Sequence, residues 1–330
     1  THEGARVTLQ ALEAGAADYL PKDIRAWMDK GSNVRTQLID RLVALGRSRR
    51  FQRSSVFDRD YPGKAKPGTT MVFRPDDPDP PVRRSATSAG SSSSLESTRP
   101  SVSEGMAARR ERLPKSPAAS PHVVREAADC ATTPASRVRF PDCKLVVIAA
   151  STGGPAALQK VLTALPANFP YPILLVQHMP KTFTQVFAER LNQQCHISVK
   201  EAEDGDRLQP GRALLAPGGL QMIIDSKQTD RVRILPGDER LTYKPSADVT
   251  YASAAKTYGA KVLGITLTGM GADGCDGSRL LKQAGSTQWA QNKESCTIYG
   301  MPQAVINAGL ADAVLDLDDI GPLLAGRGSR

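Results

Sequence analysis

Ser151, His178 and Asp273 are the residues of this chain whose types could combine into a nucleophilic triad, and each follows an apolar run. A serine hydroxyl is a weak nucleophile near neutral pH, so it needs an imidazole within hydrogen-bond reach to take its proton in the transition state. A carboxylate on the other ring nitrogen fixes the tautomer and steadies the imidazolium that forms. The run Gly269-Met270-Gly271-Ala272-Asp273-Gly274 is rich enough in glycine for its backbone to approach a ligand closely. Its N–H groups could stabilise an oxyanion, an effect of roughly 3 to 4 kcal/mol per donor.

Each of the three must be positioned by an element. The β-branched run through Val146-Val147-Ile148 reads as a buried strand, Gly153-Gly154 as a turn and Pro155 as the first position of a helix, where proline is welcome. Ser151 is thereby expected at the carboxyl end of a strand, where open α/β sheets place their ligands. A second strand runs from Ile173 into Gln177-His178-Met179-Pro180, and a third, Val262 to Thr268, ends in the loop that carries Asp273. Taken alone, the Ser151 turn is equally a phosphate or dinucleotide cradle, or a plain structural turn. Asp225, Asp248 and Asp276 compete with Asp273 for the acid, His196 reads as structural or surface, and Cys275 as a buried small hydrophobe. It is the coincidence of three strand ends that favours the triad over a non-catalytic phosphate- or dinucleotide-binding α/β module. Against that module, the third glycine of G-x-G-x-x-G is missing, and Gln177-His178 stands where an acidic residue should end the second strand.

The remaining elements form a pattern. Strands are expected at Leu145 to Ala150, Ile173 to Val176, Ile197 to Lys200, Ala213 to Ala216, Met222 to Ile224, Val232 to Leu235, Val262 to Thr268, Thr287 to Ala290 and Ala313 to Leu315. Helices intervene at Pro155 to Leu165, Phe183 to Gln193, Ala247 to Tyr258, Gly277 to Ala284 and Met301 to Ala308. The alternation predicts an α/β fold with a mainly parallel, doubly wound sheet. The crowded strands between Ile197 and Leu235 read as an antiparallel excursion.

Residues 140–330 therefore form the expected catalytic domain. Residues 1–46 read as a helix over Thr1 to Gly15, a short strand over Ala16 to Lys22 and a helix from about Arg25 to Leu45, the tail of a larger α/β unit. Residues 47–139, with Ser91-Ser92-Ser93-Ser94 and Asp76-Asp77-Pro78-Asp79-Pro80-Pro81, are expected to be a disordered linker, too poor in apolar residues to offset the entropy of ordering. The net charge of +9 lies almost wholly in that linker, with 18 Lys/Arg against 10 Asp/Glu. With no aromatic interleaving and no binding motif, it does not indicate nucleic-acid binding. The five cysteines are scattered without a CxxC pair, which indicates free thiols and no metal site. No run is long enough to span a membrane and no signal peptide opens the chain, so the expected compartment is the cytoplasm.

Two resemblances stand beside this reading. Leu12-Glu13-Ala14-Gly15-Ala16-Ala17-Asp18-Tyr19-Leu20-Pro21-Lys22 resembles the end of a response-regulator receiver domain, with Lys22-Asp23 where Lys-Pro is usual. The strands that would carry the acidic pocket and phospho-accepting aspartate are not in this sequence, so activity independent of phosphoryl donors is expected. Ala150-Ser151-Thr152-Gly153-Gly154, Gln177-His178-Met179-Pro180, Val199-Lys200-Glu201-Ala202-Glu203-Asp204-Gly205, Leu267-Thr268-Gly269-Met270-Gly271-Ala272-Asp273-Gly274 and Tyr299-Gly300-Met301-Pro302 resemble the catalytic domain of the chemotaxis protein-glutamate methylesterases, in one uninterrupted order from about Lys144 to Leu324.

That resemblance implies an esterase that removes methyl groups from glutamate side chains of methyl-accepting chemoreceptors, releasing methanol, and in many members a glutamine deamidase. It implies Ser151 as nucleophile, His178 as general base and acid, Asp273 as its partner, Met270 as a backbone oxyanion donor and Thr152 in support. No cofactor and no metal is implied, nor membrane insertion, and the chain is expected to be a monomer. A chemotaxis histidine kinase is the expected partner of the receiver region. Lys244-Pro245-Ser246-Ala247-Asp248 resembles a substrate-side loop that more often begins with arginine, and Ala149 stands where glycine is usual.

Overall fold

The strand Leu145–Ala150 (β1) is buried along its whole length, and its alternate residues enter two different layers of core. Val146, Ile148 and Ala150 face one layer, and Leu145, Val147 and Ala149 the other. A strand needs apolar residues at every position only when helices cover both faces of its sheet. The structure, a computed structural model, describes residues 2–20, 34–47, 132–238 and 241–326, all within one compact unit.

In the described chain, the helices His2–Glu13 (α1) and Val34–Arg47 (α2) come first. Then follow β1, Gly154–Thr163 (α3), Ile173–Gln177 (β2), Lys181–Gln194 (α4), Ser198–Glu201 (β3), Arg212–Leu215 (β4), Leu220–Ile224 (β5) and Val232–Pro236 (β6). Ala247–Tyr258 (α5), Val262–Thr266 (β7), Cys275–Gln283 (α6), Thr287–Gln291 (β8), Met301–Asn307 (α7), Ala313–Leu315 (β9) and Leu317–Ala325 (α8) complete it. Seven strands make one parallel sheet in the order β3-β4-β2-β1-β7-β8-β9. The chain winds outward from β1 to β2 and then returns to β7 on the other side of β1, which makes the carboxyl end of β1 the switch point where such sheets open a crevice. The mainly parallel α/β fold expected from the sequence is the fold observed.

Three local expectations are corrected. The antiparallel excursion is confined to β5 and β6, whereas β3 and β4 pair in parallel at the edge of the main sheet. Their close spacing suggested hairpins, but the register of Val199 on Ala213 buries both side chains in the layer under α4. Residues 16–20 pair with no strand. Gly15, in the left-handed conformation at φ 107, closes α1 by letting Ala16 N–H reach Ala11 O at 2.9 Å. The segment is then held by side chains instead of a ladder. Finally, α8 was not anticipated, although Asp316 caps it by accepting from Asp318 N–H and Ile320 and Leu324 are buried on its inner face. The expected strand over Ala16 to Lys22, the helix from Arg25 and the linker each lie partly or wholly outside the described residues. No helix among the described residues is long and apolar enough to cross a membrane.

Candidate active site

β1 ends in Ser151, whose N–H donates to Thr268 O at 3.0 Å beyond the end of β7. The turn that follows is built by glycines that make room for protein, not for a ligand. A Cβ on Gly153, at φ 77, would collide with the Thr297 side chain, and one on Gly154 with the Gln177 carboxamide. Gly269 admits Ser151 itself, since a Cβ there would lie 2.8 Å from Ser151 Cβ and would also strike Met301 Sδ. Gln177 Nε2 donates to Ser151 O at 2.9 Å, and Thr268 Oγ1 donates to Thr152 O at 3.0 Å, so the serine backbone is fixed from both neighbouring strands. Ala149, the residue that departs from the family pattern, pairs with Val176 and Thr266, and its methyl is wholly buried in the core layer beneath α5.

His178 follows β2 directly, with its N–H on Ala150 O at 3.1 Å. Its Nε2 lies 2.7 Å from Asp273 Oδ2, while Nδ1 is buried and has no partner among the described residues. A carboxylate on Nε2 keeps the proton on that nitrogen and leaves the lone pair on Nδ1, the reverse of the usual assignment. Asp273 is itself surrounded by donors at the start of α5: Ser246 Oγ at 2.8 Å, Ala247 N at 2.6 Å and Asp248 N at 3.1 Å. Burial alone would raise its pKa. The hydrogen bond and charge of His178, with the N–H groups of Ala247 and Asp248, outweigh that and hold the carboxyl down at about 2.

Asp248 stands one layer behind. Its Oδ1 accepts from Gly274 N at 2.9 Å and Gly277 N at 2.6 Å, tying the start of α5 to the start of α6. Burial, together with the charge of Asp273, pushes its pKa up to about 6. Of the competing acids, Asp225 lies on the β5–β6 turn accepting from Lys227 N, and Asp276 is exposed on α6. His196 is exposed ahead of β3. Cys275 donates to Ala304 O at 3.4 Å, and burial raises its thiol pKa, which suits a packing role.

Thr152 follows Ser151 in the chain, and Met270 follows Gly269, the glycine that admits Ser151. Among the described residues neither backbone N–H has a protein acceptor. The Thr152 hydroxyl is engaged elsewhere: it donates to Asp18 Oδ2 at 2.8 Å. Asp18 also meets Arg41 at 3.1 Å, Arg41 donates to Tyr19 O at 2.7 Å, and the Tyr19 ring packs on Phe183 with centroids 4.7 Å apart. The amino-terminal segment thus reaches the turn that holds the serine.

The residue reading missed Tyr243, Ser246 and the bracing role of Asp248. Tyr243 stacks on the His178 ring, with centroids 4.3 Å apart and planes 7° from parallel. Ser246 had a legible signal, a helix-capping serine before Ala247, and its side chain does accept from Val249 N. Nothing in the spacing pointed from that cap to Asp273.

The chain matches the CheB methylesterase family over residues 146–324. It is 50% identical over 321 residues to protein-glutamate methylesterase/protein-glutamine glutaminase 3 of Pseudomonas syringae pv. syringae, covering 97% of this chain and 76% of that protein. It is 52% identical over 321 residues to the corresponding protein of the group 1 operon of Pseudomonas putida, covering 97% and 75%. The crystal structure of the Thermotoga maritima CheB methylesterase catalytic domain superposes with a TM-score of 0.53 at 41% identity, covering 56% of this chain and 98% of that one. The arrangement of Ser151, His178 and Asp273 at one sheet edge is thus found in a chain that belongs to the CheB methylesterase family.

Proposed function

We propose that this protein hydrolyses glutamate γ-methyl esters on methyl-accepting chemoreceptors, with Ser151 as nucleophile, His178 as base and acid, and Asp273 as the group that orients and charges the imidazole. The observation that carries the reading is the 2.7 Å contact of His178 Nε2 with Asp273, which leaves a buried, unpartnered Nδ1 on the strand next to Ser151. Nδ1 takes the Ser151 proton as Oγ attacks the ester carbonyl, and the Met270 and Thr152 N–H groups receive the oxyanion. Collapse expels methoxide, which leaves as methanol with the proton from Nδ1. Water, deprotonated by the same nitrogen, then attacks the acyl-enzyme and frees glutamate and Ser151.

With a glutamine side chain the same sequence expels ammonia, so deamidation needs no additional group. The catalytic unit in this reading is residues 140–330, working in the cytoplasm as a monomer on the receptors' exposed side chains. Residues 1–46 read as the end of a receiver domain, whose partner is a chemotaxis histidine kinase; with the acidic pocket and phospho-accepting aspartate not among the residues of this sequence, that partnership is weakened and the activity of these residues does not depend on phosphoryl transfer. Methanol release from methylated receptor membranes tests the chemistry. Ser151→Ala is expected to lower the rate by about four to six orders of magnitude, and release equal to that of the wild type would sink the triad.

A further inference from the structure

A single hydrogen bond fixes one atom of a ring and leaves the ring free to tilt about it. The bond from His178 Nε2 to Asp273 therefore places that nitrogen without setting the direction of Nδ1. The contact that does set the ring plane is Tyr243, stacked 4.3 Å away and within 7° of parallel. Its own position is tightly held. Tyr243 O accepts from Gln221 Nε2 at 2.8 Å, Lys244 O accepts from Gly219 N at 3.0 Å, and Ser246 N donates to Gln221 Oε1 at 2.8 Å. The buried carboxamide of Gln221 thus ties the Tyr243 carbonyl to Ser246 and fixes the backbone that leaves the tyrosine. At the far end of the ring, a Cβ on Gly271 would lie 2.6 Å from Tyr243 Oη, so the oxyanion loop has a glycine where the phenol passes. The hydroxyl makes no hydrogen bond among the described residues.

We propose that Tyr243, through the face of its ring and not its hydroxyl, is a positioning residue for His178, fixing the imidazole plane and stabilising the imidazolium that forms when Ser151 gives up its proton. This inference rests on the triad reading above. The face of an aromatic ring carries partial negative charge, so a stacked cation is favoured over the neutral form. The other charged groups that act on the pair are Asp273, which bonds His178 and also acts on Tyr243, Asp248 behind Asp273, and Arg41, which acts on Tyr243 and pairs with Asp18.

The test compares wild type, Tyr243→Phe and Tyr243→Leu in methanol release from methylated receptor membranes across pH. The phenylalanine variant keeps the stack and is expected within about twofold of wild type. Leucine fills similar space without the ring, and it is expected to lower kcat by about ten- to a hundredfold with KM unchanged and to move the acid limb of the rate profile to lower pH. A leucine variant with wild-type kcat and pH profile, or a phenylalanine variant as damaged as leucine, overturns the proposal. The ring current provides a readout independent of catalysis and of how the leucine variant folds. The His178 Hε1 proton resonance should be shifted upfield in wild type and in Tyr243→Phe, and its absence in wild type also overturns the stack. Failure of the triad reading is distinguishable, because it appears as full activity in Ser151→Ala whatever the Tyr243 variants do.

Discussion

Asp273 is a carboxylate that burial should neutralise and that its neighbours keep charged. Only 3% of its side chain is exposed, yet every lone pair that faces protein meets a donor, one from His178 and three from the start of α5. Its stabilising contribution is present above the ordinary carboxylate range and is lost as pH falls from about 4 toward the folded value of about 2. Asp273→Asn keeps the shape but can hold His178 in the wrong tautomer, so we expect methanol release to fall by about 10⁴. The variant's thermal stability at neutral pH should also drop toward that of wild type at acid pH, measured by melts across pH 2 to 7. Sequence alone favoured Asp273, in the loop that ends the third strand, with Asp225, Asp248 and Asp276 as competitors. What separates them is which one the fold carries to the imidazole, and that depends on where α5 docks, a contact remote in sequence.

At the scale of elements, the site depends on two helix starts locked together. α5 gives its first N–H groups to Asp273, and Asp248 in its first turn gives its carboxylate to the first turn of α6. Each helix start favours negative charge, but two carboxylates share this junction, and Asp248 is the one whose ionisation is penalised. Its folded pKa of about 6 lies above the unfolded value, so its contribution is fullest below pH 4 and is lost as pH rises through 6. Asp248→Asn retains an acceptor for Gly274 and Gly277, and its stability relative to wild type should rise between pH 4 and 7. Asp248→Ala leaves both N–H groups without an acceptor and should cost about 1 to 3 kcal/mol, read from denaturant unfolding at pH 7. The helix Ala247–Tyr258 was legible in the sequence with the bounds observed. The parallel pairing of β3 and β4 was not, because strand direction at a sheet edge is set by the crossovers on either side and leaves little mark in a four-residue run.

At the scale of the whole molecule, the strand ends that collect Ser151, His178 and Asp273 were readable from three apolar runs and the residues that stop them. The contact of the amino-terminal segment with the Ser151 turn was not, because it is made by the polar side chains of Asp18 and Arg41, far apart in sequence, whereas α1 itself docks through a periodic apolar face, Ala5, Leu9 and Leu12, that joins the core. Asp18 reaches Thr152, one residue from the nucleophile, and Arg41 holds Asp18 from behind. While that contact stands, the Thr152 hydroxyl is turned toward the segment. The Arg41–Asp18 pair is only partly shielded, with 26% and 14% of the side chains exposed, so its strength is limited and sensitive to salt. Replacing Asp18 by alanine removes the acceptor of both Thr152 and Arg41. We therefore expect Asp18→Ala and Arg41→Ala to raise kcat/KM for methanol release by about two- to tenfold, and raised ionic strength to narrow the gap by activating wild type. An unchanged or lower kcat/KM in both variants, with the fold intact by circular dichroism, would show that the segment braces the Ser151 turn and does not restrict entry to it.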